Sequence, residues 1–494
     1  MLLLEGLNKM SGMILKGKTC DWEIICGLEI HCQIISKSKI FSGASTHYGS
    51  DINENVSFVD AGMPGMLPVL NEECVRQAIK TGLGLNAKIN KHSVFSRKNY
   101  FYADLPQGYQ ITQFEYPLVG EGFVKIDLED GSSKNIGIER IHIEQDTGKS
   151  IHDISPSKTF LDFNRAGVGL MEIVTKPDFR SPEEAGAFLR KLRTIVRYLG
   201  TCDGNMDEGS MRCDASVSVR PVGSSELRPR AEIKNVNSVK FVMQAIEFEA
   251  KRQMQIYEEG GEIEQQTRLF DQTTGETRFM RSKEFAHDYR YFPEPDLLPL
   301  DLEDEFIEEI KAGLVELPDA KQERFVKDMG LTPYDAMVLT EDRETAEWFE
   351  KAAKGHDAKK VANWMMGDFF AMLNEKKITL AESPVTPENL GKLVELITTD
   401  VINGKTAKDV FVMMVESGDA PDKIVEEKGL KQVTDTAAIE KIIDEIIASN
   451  PDNVAAYKGG KVALIGWFVG QVMKASQGKA NPGVVNNLLK QKLG

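Results

Sequence analysis

Ile-Gly-Ile-Glu-Arg-Ile-His-Ile-Glu-Gln-Asp-Thr-Gly-Lys-Ser (Ile136 to Ser150), Asp-Phe-Asn-Arg-Ala-Gly-Val-Gly-Leu-Met-Glu-Ile-Val (Asp162 to Val174) and Gly-Asn-Met-Asp-Glu-Gly-Ser-Met-Arg-Cys-Asp (Gly204 to Asp214) make up the stretch that organises this chain. Apolar and polar residues alternate through it, the period of a strand buried on one face. Carboxylates lie inside these apolar and glycine-rich runs. An ionised carboxylate is expensive to bury without a partner. Glu144, Glu172, Glu208 and Asp214 are therefore expected to meet something cationic, and a magnesium ion carrying a nucleotide phosphate would meet that need.

Working outward, the whole chain has 494 residues, more than one core usually covers, so two to three domains are expected. Apolar content of 41% and charged content of 28% describe a soluble globular protein. No apolar run reaches the length of a membrane span. The opening Met1–Leu4 run stops at Glu5, too short for a secretory signal, and the first residues lack the arginines of a mitochondrial leader. Cys20, Cys26, Cys32, Cys74, Cys202 and Cys213 form no Cys-x-x-Cys pair. Reduced, mostly buried thiols in a cytoplasmic protein are expected. The net charge of -16 argues against nucleic-acid binding by the whole surface and leaves room for a local basic face.

Upstream, Trp22 to Ile35 reads as a strand in which Glu29 and His31, two apart, share a face. Alone, that pattern favours an edge strand wetted on one side; the wider set of acids and histidines reverses that reading. Glu72 to Leu85 reads as a helix. Between Ser96 and Gln110, Tyr100, Tyr102 and Tyr109 accompany Arg97 and Lys98 beside a Pro-x-Gly turn. Such a group suits stacking on a base and contact with phosphates, or a packed aromatic loop. Ser181 caps a helix with Pro182 first and Glu184 completing a capping box; Gly200 ends it. A long helix is expected up to about Tyr257. The charge run within 267–292 reads as a solvated extended face, and Pro293 to Pro299 as a linker. Beyond it the pattern is helical, with a bundle over 300–385 and a smaller helical domain from 386. After Asp452 no acidic residue remains, while Lys458, Lys461, Lys474, Lys479, Lys490 and Lys492 do. That asymmetry points to a polyanion or to a solvated lysine face.

Several chemistries are excluded by absent motifs. There is no P-loop, no His-Glu-x-x-His and no Gly-x-Ser-x-Gly. What remains is a set of acids and a histidine on strands: Glu29, His31, Glu144, Glu172 and Glu208 as metal ligands. Arg140, Arg165 and Arg212 are placed to neutralise phosphate oxygens, since phosphoryl transfer is mostly positioning and charge stabilisation. Lys98, Tyr100 and Tyr102 are the candidates for holding a nucleotide. The residues alone reach metal-dependent phosphate chemistry and go no further.

Gly27-Leu28-Glu29-Ile30-His31, Asn99-Tyr100-Phe101-Tyr102, Leu105-Pro106-Gln107-Gly108-Tyr109-Gln110, Ile143-Glu144-Gln145-Asp146-Thr147-Gly148-Lys149, Asp162-Phe163-Asn164-Arg165-Ala166-Gly167, Leu170-Met171-Glu172-Ile173-Val174 and Lys234-Asn235-Val236-Asn237-Ser238 closely resemble the B-subunit family of the aspartyl/glutamyl-tRNA(Asn/Gln) amidotransferases. The resemblance covers nearly the whole chain. It implies an α+β fold: an antiparallel-sheet cradle similar to the glutamine synthetase catalytic domain (1–299), an all-α helical domain (300–385) and an all-α YqeY-like tail (386–494). It implies ATP- and magnesium-dependent phosphorylation of the side-chain carboxylate of glutamate or aspartate misacylated on tRNA. Ammonia would come from a glutaminase A subunit, with a C subunit completing a heterotrimer. Glu29, His31, Glu144, Glu172 and Arg165 would be catalytic, Lys98, Tyr100, Tyr102, Arg140 and Arg212 would hold the nucleotide, and Lys458, Lys461, Lys474 and Lys479 would hold the tRNA. A stand-alone glutamine-synthetase-like ligase and a noncatalytic tRNA scaffold are the alternatives. One departure stands out. Where many family members carry a Cys-Pro-x-Cys zinc knuckle, this chain reads Asn55-Val56-Ser57-Phe58-Val59-Asp60-Ala61-Gly62, so structural zinc is not expected. Gln145 stands where an acid is common and is left outside the expected ligand set.

Overall fold

The computed structural model describes residues 12–282, 286–432, 436–476 and 480–494, with the backbone alone for Ala286 and His287. Packing divides the chain into two compact units, one ending at Pro318 and one starting at Asp319.

Among the described residues, the first unit carries sixteen strands in chain order. They are β1 (Ile14–Lys16), β2 (Asp21–Gln33), β3 (His92–Ser93), β4 (Phe95–Asn99), β5 (Tyr109–Gln113), β6 (Gly122–Asp127), β7 (Ser133–Gln145) and β8 (Lys149–Ile151), followed by β9 (Phe160–Asp162), β10 (Gly169–Thr175), β11 (Met211–Pro221), β12 (Ala231–Val236), β13 (Gln266–Asp271), β14 (Glu276–Ser282), β15 (Phe292–Pro293) and β16 (Leu300–Asp301). Nine form one sheet in the order β14-β13-β12-β11-β2-β10-β7-β6, with β1 added to β2. Every pairing is antiparallel except β12 with β13. The alternation in β2 fixes its two faces: Ile24, Cys26, Leu28, Ile30 and Cys32 are buried in one core with residues of α1 (Glu72–Gly84), α2 (Pro182–Leu199) and α3 (Val239–Glu258). The opposite face is free to carry polar chemistry.

Helix α2 starts on Ser181, whose Oγ accepts from the Glu184 N–H, and stops at Gly200 with φ 68°, the left-handed conformation glycine adopts without cost. The expected capping box is not closed. The Glu184 carboxylate instead accepts from the Arg180 N–H at 2.7 Å and pairs with Lys134 at 2.8 Å, because β7 brings a cation to the helix start.

The edge-strand alternative for β2 falls, since the strand lies between β10 and β11. Two further expectations are corrected. Residues 293–299 are no free linker: β15 pairs with β4, and the buried Glu294 takes a two-pronged ion pair from Arg97 at 2.7 and 2.8 Å. The unit boundaries also differ from 299/300 and 385/386. Helix α4 (Asp304–Ala312) buries Ile310 in the sheet's core, so the first unit runs to Pro318.

The second unit is helical. It holds α5 (Pro318–Met329), which begins on the last residue of the first unit, then α6 (Pro333–Leu339), α7 (Arg343–Ala353), α8 (Ala358–Trp364), α9 (Phe370–Lys376), α10 (Pro387–Thr398), α11 (Gly404–Ser417) and α12 (Pro421–Glu427). One core runs through these from Phe325 to Val425, straight across the break expected at 386. The proline there starts α10 behind its Thr386 cap instead of separating domains. A smaller core joins α13 (Thr436–Ser449), α14 (Pro451–Lys458), α15 (Leu464–Ala475) and α16 (Pro482–Leu493). No described helix is long and apolar enough to cross a membrane.

The segment 55–65, where the zinc-knuckle cysteines are missing, is pinned by a charge pair. Lys39, fully buried, sets its Nζ 3.1 Å from Asp60, 2.6 Å from the Asn55 carbonyl and 3.3 Å from the Phe163 carbonyl. Asp60 also accepts from Ser42 Oγ and the Ser57 N–H. Removing one partner of such a pair strands the other, so Lys39→Met should lower unfolding stability by about 3–5 kcal/mol. The Lys39→Met/Asp60→Asn double variant should lose less, as read by chemical denaturation.

The start of the sheet is held differently. Glu258, at the end of α3, accepts from Thr19 Oγ1, Trp22 Nε1 and the Lys18 and Thr19 N–H groups, which pulls its carboxyl from 4.5 down to about 2. A depressed carboxylate contributes stability above its unfolded value and loses it as pH falls through the folded one. The stability gap between the wild type and Glu258→Gln should therefore be full above pH 4.5 and close as pH falls toward 2.

Candidate functional site

Strands β7, β10, β2 and β11 lie side by side, so residues directly opposite share a face. One row across the polar face reads His142, Glu172, His31, Arg212. The next reads Arg140, Val174, Glu29, Asp214, and on the other side stand Glu144, Leu170 and Gln33. Each residue arrives there by the same period-two alternation that buries its neighbours under the helices.

Glu172 is the centre of this arrangement. Its Oε2 lies 3.2 Å from His142 Nε2 and 3.5 Å from His31 Nε2. Glu144 lies 3.6 Å from His142 and accepts from Thr112 Oγ1 at 2.8 Å; Glu29 lies 3.8 Å from His31. Two donor groups result, Glu29–His31–Glu172 and His142–Glu144–Glu172, joined through Glu172. Burial would lower both histidines, but the Glu172 carboxylate, with Glu144 and Glu29 beside it, raises each to about 9. Burial would raise Glu172, and the two imidazoles hold it well below the usual carboxylate range. Enclosure and the Glu172 charge push Glu29 up to about 7, against His31. Nδ1 of His142 is buried without a hydrogen-bond partner. Buried polar atoms are nearly always paired, so this orphan marks a site not optimised for stability alone.

Carboxylate oxygens with one imidazole nitrogen in each group fit a hard divalent cation such as magnesium, which prefers oxygen and keeps several waters. The cavity above them, about 320 Å³, is lined by four cations as well: Lys98, Arg212, Lys234 and Arg281. Burial disfavours the Lys98 ammonium, yet Glu144, Tyr291 and Glu172 raise its pKa; its Nζ sits 4.9 Å from the Tyr289 ring centre and 5.8 Å from that of Tyr100. Arg212 is held by Asp146 at 3.0 Å, and Asp146 accepts from Gln33 as well. Lys234 bridges Asp214 and Glu232, and Asp214 stands at a register shift between β11 and β12. Such bulges re-aim a side chain.

Of the residues expected from sequence, the cavity brings together Glu29, His31, Lys98, Tyr100, Tyr102, Glu144, Glu172 and Arg212, and Asp214 meets its cation in Lys234. Three others do not join them. Glu208 is exposed on a turn, its N–H donating to the Asn205 side chain, because β11 begins only at Met211. Arg140 shares the face but pairs with its neighbour Glu139 outside the cavity lining. Arg165 lies behind the lining, donating to the Thr147 and Gly148 carbonyls and standing 3.6 Å from Asp146. The charge run within 267–292 is no uniform solvated face: Arg268 is buried against Glu249, and Arg281 lines the cavity.

His142, Asp146, Lys234 and Tyr289 were not among the assigned residues. His142 carries the same signal as the Glu29/His31 pair, two residues from Glu144 on a strand. Asp146 and Lys234 lie within quoted motifs but act through ion pairs that one-dimensional spacing does not display. Glutamine at 145 points its amide at Gln107 Oε1, outside the acid cluster. Lys458, Lys461 and Lys474 are exposed on the smaller helical core; Lys479 falls outside the described residues.

Residues 24–308 match the family model described as the GatB/GatE catalytic domain, and residues 347–493 match the GatB domain. The chain is 64% identical over 480 residues to the B subunit of the aspartyl/glutamyl-tRNA(Asn/Gln) amidotransferase of Paramagnetospirillum magneticum, covering 97% of this chain and 99% of that protein. The protein of the same name from Rhodospirillum rubrum is 62% identical with the same coverage, and that of Bartonella tribocorum 58% identical over the full length of both. With its sheet, its acid–histidine face and its helical end all inside these matches, the chain belongs to the family of aspartyl/glutamyl-tRNA(Asn/Gln) amidotransferase B subunits.

Proposed function

We propose that this chain is the component that activates the side-chain carboxylate of glutamate or aspartate misacylated on tRNA, in an ATP-dependent ligase that then amidates it. The observation that carries the reading is the Glu172 carboxylate, shared by two acid–histidine groups on inner strands and lining one cavity with Lys98 and Arg212.

The chemistry follows from the leaving group. A free carboxylate is a poor acyl donor because oxide departs badly. Transfer of a phosphoryl group to one carboxylate oxygen makes phosphate the leaving group, and ammonia then attacks the carbonyl carbon and releases it. ATP and the substrate carboxylate are both anions, so the site must hold positive charge between them. Glu29, His31, Glu144, Glu172 and, from the structure, His142 would hold magnesium, which supplies charge neutralisation at the phosphate oxygens. Lys98 and Arg212 offer fixed positive charge in the same cavity lining, and Asp146 keeps Arg212 in place. Tyr100 and Tyr102 offer ring faces for a base. Arg165 is a positioning residue: it clamps the 147–148 turn that carries Asp146. Arg140 and Glu208 have no part in this reading.

Ammonia would be delivered by a glutaminase A subunit, with a C subunit completing a cytoplasmic heterotrimer. The antiparallel cradle is of the glutamine synthetase kind in this reading, supported by the acids on its open face. The helices after Asp319 would hold the tRNA, with the smaller core that bears Lys458, Lys461, Lys474 and the undescribed Lys479 as its contact.

The chain combined with A and C partners, ATP, glutamine and Glu-tRNA(Gln) or Asp-tRNA(Asn) should yield the amidated tRNA. Glu172→Ala and Glu144→Ala should each cut that rate by about 10²–10³, the scale of a lost preorganised electrostatic contact, with tRNA retained. Loss of tRNA binding with normal turnover per bound complex would show that these acids do not serve the phosphate chemistry. ATP hydrolysis stimulated by free glutamate without tRNA would favour a stand-alone ligase. Replacing Lys458, Lys461 and Lys474 together by alanine should raise the KM for tRNA and flatten its salt dependence by up to roughly 0.9 in slope per lost phosphate contact. An unchanged salt slope would remove the tail lysines from the tRNA interface.

A further inference from the structure

The sheet face that floors the cavity continues beyond it. Opposite Lys234 on β12 stands Leu269 on β13, and opposite Leu269 stands Arg278 on β14. The neighbouring row runs Glu232, Thr267, Arg281. Cross-strand partners share a face, so Leu269 and Arg278 extend the wall that Lys234 and Arg281 form inside the cavity. A register shift between Thr267 and Arg268 puts a bulge in this pair, the device that turns side chains at a sheet rim. Arg281 comes to lie with its Nη1 3.3 Å from the Tyr102 hydroxyl. Leu269 is 40% exposed, and Arg278, 60% exposed, is oriented by Asp271 at 2.9 Å. Strand β14 is the last of the sheet, so the strip opens to solvent at its outer end.

Edge strands are often protected by scattered charge. Here both arginines fall on the cavity's own face, around an exposed leucine, in a chain of net charge -16. A positively charged groove that tracks the backbone, with side-chain surface under the bases, is how single-stranded nucleic acid is held; rings are the usual platform, and leucine offers a smaller apolar one. An aminoacyl group rides on the 3′ end of its tRNA, so the unpaired nucleotides behind it must leave through the cavity mouth. We infer that the strip Leu269–Arg278–Arg281 is the track for those unpaired 3′ nucleotides, with the arginines on backbone phosphates and Leu269 beneath a base. This rests on the reading of the cavity as the place where a tRNA-borne carboxylate is activated. It assigns the exit path to the β12–β14 side of the mouth.

Arg278→Gln in the assembled amidotransferase tests it. The KM for Glu-tRNA(Gln) should rise severalfold and its log–log salt slope fall by roughly 0.7, one single-strand phosphate contact. The KM for ATP should stay put. With 3′-glutamyl-adenosine, which lacks the upstream phosphates, variant and wild type should be indistinguishable. Leu269→Ser should raise the tRNA KM, through lost apolar contact, with the salt slope intact. An unchanged tRNA KM in both variants, or an equal shift with glutamyl-adenosine or ATP, overturns the track. A wild-type complex that amidates neither substrate overturns the reading of the cavity itself, and the track with it.

Discussion

One carboxylate between two imidazoles governs this structure. Glu172 sits on β10, with His31 opposite on β2 and His142 opposite on β7, all on inner strands of the sheet. Together the three groups carry charge that a dry interior would not tolerate singly. Each holds the others in their charged forms, which is why burial fails to neutralise them. The same triad supplies the oxygen shared by both candidate metal groups. A metal ion bound at that oxygen would displace the imidazole protons, so the device that reconciles buried charge with a folded sheet would exchange protons for a cation.

The rest of the fold serves that face. Helices α1, α2 and α3 cover the opposite side of the sheet, so the strands can be apolar on one face and chemically loaded on the other. Ion pairs fix two further segments, one of them the stretch that reads as a free linker. Lys39 with Asp60 pins the 55–65 segment, and Arg97 with Glu294 ties the 293–299 segment to β4. Asp146 gathers Arg212 and Arg165 beneath the cavity rim. Buried pairs of this kind are weak contributors to net stability but exacting about geometry. That trade suits a site in which two anions must be brought together.

Sequence reading carried the strands, the helix starts and most of the cavity. Period-two alternation placed Glu29 with His31, and the oddity of acids inside apolar runs singled out Glu144, Glu172 and Asp214. It failed where sequence distance hides contact. Glu208 lies only a few residues from β11, yet falls on the turn before it. Arg140 has the right parity and stands in the row of Glu29 and Asp214, but it pairs with Glu139 outside the cavity lining. His142 was in view, and nothing in one dimension says that a second histidine reaches Glu172 from the other neighbouring strand. The segment at 386–388 reads both as a domain break and as a helix start; the start holds and the break does not, because α10 belongs to a continuous core.

The central claim is that a carboxylate oxygen of the tRNA-borne glutamate becomes part of the phosphate released. Glu-tRNA(Gln) labelled with 18O in the side-chain carboxylate, turned over with ATP and glutamine in the assembled complex, reads this directly by mass spectrometry of the phosphate. Activation through an acyl phosphate places one 18O in inorganic phosphate for each amide formed. Phosphate that leaves unlabelled while amide accumulates would contradict it.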